Sequence, residues 1–100
     1  LDAAAEAPLR TAELACAVLP LAEQTLGFTK AALATDLGSA SEFAAASLAA
    51  AALNVRVNHR SLPDGPACAQ REARLAALET EAAAALARIR AALRRDGTRA

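Results

Sequence analysis

The feature that most constrains this chain is a long stretch of alanine and leucine with almost no charge. It covers residues 35–60, TDLGSASEFAAASLAAAALNVRVNHR, and contains no proline. Between positions 39 and 58 the only charged residues are Glu42 and Arg56. Alanine favours helix, and a helix with so little charge has to bury most of its circumference. We therefore predict a largely buried central helix.

Polar residues recur along one side of this predicted helix. At 3.6 residues per turn, seven positions fall on one line: Asp36, Ala40, Phe43, Ser47, Ala50, Asn54 and Asn58. A core stripe is ordinarily leucine and valine, whereas this line carries polar groups at both ends. Buried amides need hydrogen-bond partners, so the line is a candidate for ligand binding or for polar contacts between helices.

The composition predicts an all-α fold, an up-and-down bundle of about three helices. The 100 residues suffice for one domain, residues 1–100, and 55% are hydrophobic although only 2% are aromatic. Glycine and proline lie mainly between the apolar stretches, as in helical bundles. Alanine-rich helices in a small domain leave apolar faces uncovered. We therefore expect a partner chain to complete the bundle, most simply in a homodimer.

Local signals predict where the first two helices begin and end. The first helix is expected to present Leu14, Val18, Leu21 and Ala22 on its apolar face, to bend or end early at Pro20, and to stop at Gly27. Phe28 is expected to fold back on the core.

The central helix is expected to begin near Asp36 or Ser39. Ser39 and Glu42 fit a capping box, with Thr35 and Asp36 as alternative caps. The turn signal SLPDGP ends this helix near residue 60.

The third helix is predicted from about Pro66 to Arg95, stopped by Gly97. Apolar residues at alternating spacings of three and four define its packing stripe: Leu75, Leu78, Ala82, Ala85, Ile89 and Ala92.

Charge and cysteine content narrow the classes of function. The formal net charge is zero, which argues against nucleic acid as the main partner. Cys16, Cys68 and His59 form no metal-ligand spacing, so no metal site is expected. The longest uncharged run is too short to span a bilayer, and no signal peptide is evident. A first residue other than methionine suggests a processed product or a fragment.

Several short motifs together resemble the cyclodeaminase/cyclohydrolase family, which includes formiminotetrahydrofolate cyclodeaminase and methenyltetrahydrofolate cyclohydrolase. The family's Ser-or-Thr-Asp start is similar to Thr35-Asp36, and an alanine-rich helix follows. Its Asn-Val-x-Ile-Asn end is similar to residues 54–58, NVRVN, and its Ser-Leu-x-Asp turn to residues 61–64, SLPD. The resemblance extends to about Asp64 and corresponds to the C-terminal half of the family domain.

Two departures from the family pattern stand out. A Gly-Asn-Pro-Asn sequence common before the Ser-Asp pair is replaced here by residues 29–32, TKAA. Family members also carry a longer N-terminal half with a Pro-Gly-Gly-Gly motif.

The resemblance implies a dimeric, cytoplasmic one-carbon folate enzyme whose substrate is a reduced folate, a tetrahydrofolate derivative. The reaction would be ring closure with loss of ammonia or hydrolysis of a methenyl bridge. Asp36 is the candidate for proton transfer, and Asn54, Arg56 and Asn58 are candidates for substrate binding. Arg56 would pair with a carboxylate, in a partner or in the glutamate tail of the folate. His59 is expected to be a helix-end residue rather than a base.

Alternatives stay open from the sequence. Asp36 is equally an N-cap, and for Asn54 and Asn58 hydrogen bonding between helices is the favoured interpretation. In one helix, Asp36 and Asn54 lie roughly 27 Å apart, so they contact opposite ends of an extended folate or belong to different sites across a dimer. The alternative function is a non-catalytic helical oligomerisation module.

Overall fold

A computed structural model gives the protein as three long helices. It describes residues 2–61 and 65–98, with side chains for residues 4–61 and 65–95. The helices are α1 (Asp2–Leu26), α2 (Ala31–Arg60) and α3 (Pro66–Thr98), and the described residues form no strand. The molecule measures 55 × 17 × 16 Å, which is the shape of helices lying side by side. The predicted all-α bundle of three helices is therefore confirmed.

Contacts between side chains establish an up-and-down arrangement. The early part of α1 meets the end of α2, where the Asn58 amide donates to the Ala4 carbonyl. Ion pairs fix the direction of α3: Glu13–Arg74 and Glu23–Arg88 join it to α1, and Arg56–Glu72 and Glu42–Arg90 join it to α2. In the pairs between α1 and α3, a higher residue number on one helix goes with a higher number on the other. In the pairs between α2 and α3, a higher number on one helix goes with a lower number on the other. Thus α1 and α3 run parallel, and α2 runs against both.

The core is built largely from alanine, with few large side chains. All three helices contribute to it, and its largest fully buried apolar side chains are Leu19, Val55, Leu75, Leu78 and Ile89. The predicted α3 stripe is confirmed, because Leu75, Leu78, Ala82, Ala85 and Ile89 are all buried. Ala92, the last member, is half-buried. Since alanine has almost no side chain to separate the backbones, these helices can approach closely.

The predicted apolar face of α1 is wrong for three of its four residues. Leu14, Val18 and Leu21 are 64%, 40% and 63% exposed, and only Ala22 is buried. The buried side carries smaller residues instead: Ala5, Ala12, Ala15, Cys16, Leu19 and Ala22. Both sides of α1 are apolar, so periodicity alone could not choose between them. The helix does not end early at Pro20, which was one of the two expected effects of this proline. It continues to Leu26 and stops before Gly27, as predicted.

The predicted start of α2 is also wrong. The helix begins at Ala31, five residues before Asp36, and its N-cap is Lys30 in an extended conformation without a side-chain bond. Asp36 and Ser39 therefore lie inside the helix, and Glu42 bonds Arg90 of α3 instead of closing a capping box. The early start follows from the strong helix preference of the sequence AALA at residues 31–34.

A close contact between α2 and α3 explains one glycine. A Cβ added to Gly38 would lie 2.6 Å from Leu93 Cδ1. The absence of a side chain therefore lets the early part of α2 approach the end of α3.

The connection between α1 and α2 and the end of α3 differ from prediction as well. Phe28 is 90% exposed and does not fold back on the core. Helix α3 continues through Gly97 to Thr98, since nothing forces a glycine into the left-handed conformation that commonly ends a helix. Within the described parts of the chain, none of the helices is long and apolar enough to cross a membrane.

Candidate functional site

The line of polar and small residues predicted on α2 faces outward in the single chain. Asp36, Ala40, Phe43, Ser47, Ala50 and Asn54 are exposed, and only Asn58 is half-buried. The buried side of α2 instead carries Ala34, Gly38, Ser41, Ala44, Leu48, Ala51, Ala52 and Val55. The prediction that α2 buries most of its circumference is therefore wrong for one copy of the chain. Its low charge reflects an apolar outer face.

This outer face combines large apolar side chains with two of the four predicted site residues. Leu33, Phe43, Leu53 and Val57 are each more than half exposed. Asp36 and Asn54 share the face, but eighteen residues separate them, which is roughly 27 Å along the helix. One copy of the chain therefore does not bring the Asp36 carboxylate and the Asn54 amide to the same small ligand.

Asn58 joins α2 to α1. Its Nδ2 donates to the carbonyl of Ala4 at 3.2 Å and to the carbonyl of Asn54, one turn earlier, at 3.0 Å. Both amide hydrogens are thereby used inside the chain. For Asn58, these bonds agree with the interpretation that the asparagine joins two helices. They direct its side chain toward α1.

Arg56 joins α2 to α3 through two carboxylates. Its two Nη atoms donate to Glu79 Oε2 and Oε1 at 3.1 and 2.6 Å, and its Nε donates to Glu72 Oε2 at 3.3 Å. These bonds from Arg56 hold the pKa of the Glu79 carboxyl below its ordinary value. Arg56 thus pairs with two carboxylates of its own chain, whereas the carboxylate was expected from a partner or from the glutamate tail of the folate. Each nitrogen of the guanidinium makes one of these bonds.

His59 forms a hydrogen-bonded chain with α3. Its Nδ1 lies 2.8 Å from Glu72 Oε1, and Arg71 Nε donates to its Nε2 at 2.8 Å. Because Arg71 can only donate, Nε2 must be the acceptor and Nδ1 the protonated nitrogen that donates to Glu72. The bond from His59 is the main cause that lowers the pKa of Glu72. With both ring nitrogens occupied at the end of α2, His59 is placed as a helix-end residue.

The network around Arg56 and His59 was not predicted as a unit. Its α3 members, Glu72 and Glu79, are seven residues apart and so lie on one side of the helix. Arg56 and His59 are three apart on α2, which also places them on one side. Two acidic residues on one side of α3 and two basic residues on one side of α2 are a sequence pattern that could have indicated this network. Pairing them requires knowing that α2 and α3 are antiparallel neighbours in this register.

A depression lies at the corner where α2 ends and α3 begins. It encloses about 610 Å³ and is lined by Arg56, His59, Arg60, Gly65, Cys68, Ala69 and Glu72. None of Asp36, Asn54 and Asn58 lines it. The four predicted site residues therefore divide over three directions: Asp36 and Asn54 point outward, Asn58 contacts α1, and Arg56 contacts α3.

The described residues offer no preformed metal site. No group of three or more histidine, cysteine, aspartate or glutamate side chains among them is arranged to hold a metal ion. Cys16 and Cys68 are both free. Cys16 is buried, and its burial is the main cause that raises the pKa of its thiol.

These observations define a class of protein: an all-α bundle whose central helix ends in an Asn-Val-x-Val-Asn segment and presents a carboxylate and an amide on an apolar outer face. The family model described as formiminotransferase-cyclodeaminase matches residues 1–77. The chain belongs to this family, which relates it to folate one-carbon metabolism. The match covers α1, α2 and the first third of α3. Comparisons with curated proteins and with solved structures find no significant match.

Proposed function

We propose that this chain acts on a reduced folate, as a formiminotetrahydrofolate cyclodeaminase or a methenyltetrahydrofolate cyclohydrolase, or as a truncated relative of these enzymes. The observation that carries the proposal is the family match over residues 1–77, which includes both Asp36 and Asn54 on the exposed side of α2. A cytoplasmic location and the absence of a metal requirement are part of the same proposal.

Each exposed site residue has a role that suits its chemistry. The carboxylate of Asp36 would transfer a proton during ring closure with loss of ammonia, or during attack of water on a methenyl bridge. The amide of Asn54 both donates and accepts hydrogen bonds, as recognition of a pterin ring requires. The apolar surface of Phe43 between them would exclude water from a bound ring.

Arg56 and Asn58 have a different position in the proposal. Both remain candidates for substrate binding, but their donors are already engaged by Glu79, Glu72 and Ala4 within the chain. Asn58 would have to exchange an internal bond for one to the folate, whereas Arg56, with three of its five N–H groups engaged, would contact the folate from a position fixed by Glu79 and Glu72. Their direct effect on affinity is therefore expected to be smaller than that of Asp36 or Asn54.

The site is proposed to be completed by a second copy of the chain. Eight large apolar side chains of the described residues are each at least 40% exposed, and a contiguous exposed apolar patch marks an interaction surface. Four of these side chains, Leu33, Phe43, Leu53 and Val57, lie on the same helix as Asp36 and Asn54. A homodimer would cover this surface and enclose the substrate.

Calorimetric titration with a stable reduced folate, 5-formyltetrahydrofolate, tests the proposal. We expect binding by the wild-type chain and at least tenfold weaker binding by Asn54→Ala and Asp36→Asn. Matched controls are Gln70→Ala and Glu81→Gln, which remove an exposed amide and an exposed carboxylate from α3. Equal affinity in all five proteins would remove Asp36 and Asn54 from the site.

The second candidate function is a non-catalytic oligomerisation module, favoured by the exposed apolar side chains alone. Spectrophotometry of methenyltetrahydrofolate hydrolysis and measurement of ammonia release from formiminotetrahydrofolate separate it from an enzyme. A chain that self-associates but neither binds reduced folates nor catalyses either reaction would be such a module.

A further inference from the structure

The exposed side of α2 carries a regular seam. Eight exposed positions follow one another at alternating steps of three and four residues: Leu33, Asp36, Ala40, Phe43, Ser47, Ala50, Asn54 and Val57. This alternation is the spacing by which one helix packs along another. We call these eight residues the α2 seam. It extends from residue 33 to residue 57, which is twenty-four steps of the helix or about 36 Å.

The α2 seam is symmetric in character about residue 45. Each position has a counterpart equally far from residue 45 in the other direction. The counterparts are Leu33 with Val57, Asp36 with Asn54, Ala40 with Ala50, and Phe43 with Ser47. Three of the four pairs are alike in character, because they join two apolar residues, a carboxylate and an amide, and two small residues. The fourth joins the large Phe43 to the small Ser47, which complement each other in size.

We infer that α2 packs antiparallel against α2 of a second copy about a two-fold axis near residue 45, so that Asp36 of one copy faces Asn54 of the other. The register follows from the α2 seam, and its role in ligand binding rests on the proposed function. Two equivalent composite sites result, one near each end of the paired helices. Packed helices lie about 8–10 Å apart, so one ligand can contact both groups, which a single copy holds roughly 27 Å apart.

Charge selects the antiparallel arrangement over the parallel one. Asp36 is the only charged residue of the α2 seam. In a parallel pair the two Asp36 carboxylates would face each other at the same level and repel. In the antiparallel pair they are roughly 27 Å apart along the axis, which exceeds the screening length of about 8 Å at physiological ionic strength.

The available area suits a second copy as the occupant. Helix α3 does not cover the α2 seam. It lies on the flank of α2 that carries Glu42 and Arg56, because both side chains bond residues of α3. Helix α1 directs Glu13 and Glu23 toward α3 and leaves its own apolar stripe, Leu14, Val18 and Leu21, exposed.

Two adjacent helices, each about 10–12 Å wide and about 36 Å long, present a face of roughly 700–900 Å². A stable interface needs about 800 Å² per partner. The combined face of α1 and α2 is therefore large enough for a symmetric dimer.

Disulfide cross-linking tests the register without requiring activity. In a Cys68→Ser background, the double variant Ala40→Cys/Ala50→Cys should form a covalent dimer under mild oxidation, because these positions face each other between copies. Either single variant should remain uncross-linked. In a dimer of a single variant, the introduced cysteines of the two copies would lie about 15 Å apart along the axis, whereas a disulfide needs Cα atoms within about 7 Å. Ala40→Cys/Ala49→Cys is the control, since Ala49 is exposed outside the α2 seam.

A charge substitution provides a second measurement. Ala50→Glu should weaken self-association at least tenfold in sedimentation velocity, and Ala49→Glu should not. Cross-linking of a single cysteine variant would overturn the register in favour of parallel packing. A monomeric wild-type chain, or equal effects of the two glutamates, would overturn the second copy as the occupant.

The register and the proposed function can fail separately. Cross-linking of the double variant together with no binding of 5-formyltetrahydrofolate would retain the register and reject the folate proposal. Folate binding by a chain whose double variant does not cross-link would retain the folate proposal and reject the register.

Discussion

Replacing Arg56 by methionine tests whether its role is structural. The substitution removes three hydrogen bonds to two carboxylates and retains most of the aliphatic stem. A hydrogen bond to a charged group contributes about 1.5–3 kcal/mol, whereas an exposed ion pair contributes about 0.2–1 kcal/mol. The Arg56 and Glu79 side chains are 36% and 40% exposed, so solvent screens the interaction substantially.

We therefore expect Arg56→Met to lower the free energy of unfolding by about 1–2 kcal/mol in total. For a chain of this size, each kcal/mol lowers Tm by about 4–8 °C. The expected decrease in Tm is thus about 5–15 °C. In 1 M salt the loss should be smaller, because mobile ions screen partly exposed charges.

A double-mutant cycle with Glu79→Gln isolates the pair. Chemical denaturation of the wild type, both single variants and the double variant should give a coupling energy of about 0.5–1 kcal/mol. Coupling below about 0.3 kcal/mol, the level at which independent sites are additive, would refute the argument from geometry.

The same variant addresses the predicted substrate contact. Because the Arg56 guanidinium already bonds two carboxylates of the chain, we expect folded Arg56→Met protein to bind 5-formyltetrahydrofolate with an affinity within threefold of the wild type. A tenfold loss of affinity with unchanged Tm would show instead that Arg56 binds the ligand.

Three further predictions follow from individual contacts. Asn58→Ala should lower the free energy of unfolding by about 1 kcal/mol in denaturant titrations, because the bond to α1 is lost; Asn54→Ala should not destabilise a dilute, monomeric sample. Hydrogen bonds from His59 and Arg56 lower the pKa of the Glu72 carboxyl. The ionised carboxyl therefore stabilises the folded chain above its ordinary pKa of about 4.3, and this stabilisation is lost as the pH falls through the lowered pKa. Glu72→Gln should therefore make the free energy of unfolding depend less on pH in the acid range of a stability–pH curve. Iodoacetamide followed by mass spectrometry should label the half-buried Cys68 in the folded chain faster than the buried Cys16, whose thiol has a raised pKa; equal labelling rates would contradict the packing of Cys16.

Much of the fold could be predicted from the sequence because it depends on local preferences. Alanine-rich segments separated by turn residues define three helices, and the α3 stripe identifies its core residues. Starts and ends were less predictable. Thr35, Asp36 and Ser39 are good cap residues, yet the AALA sequence before them extends the helix to Ala31. Cap preferences are worth about 1 kcal/mol, and continued packing of a helix can outweigh them.

The sequence suggested members for the candidate site but not their geometry. Asp36 and Asn54 were expected on a largely buried helix and lie on its exposed side, whereas Arg56 and Asn58 lie in contacts with α3 and α1. Residue spacing places side chains on a helix but does not say which neighbour each side meets. The link between His59, Glu72 and Arg71 was missed for the same reason.

The amino-acid sequence was sufficient to predict a helical protein of three segments whose motifs resemble the family whose model matches residues 1–77. Which apolar side of each helix is buried depends on how the three helices pack together. On α1 the side that carries Ala12, Ala15 and Cys16 is inside, and the side that carries Leu14 and Val18 is outside. The physical reason is that both sides gain by leaving water. Close approach of three backbones favours the smaller residues inside, and the larger ones remain available for contact with another chain.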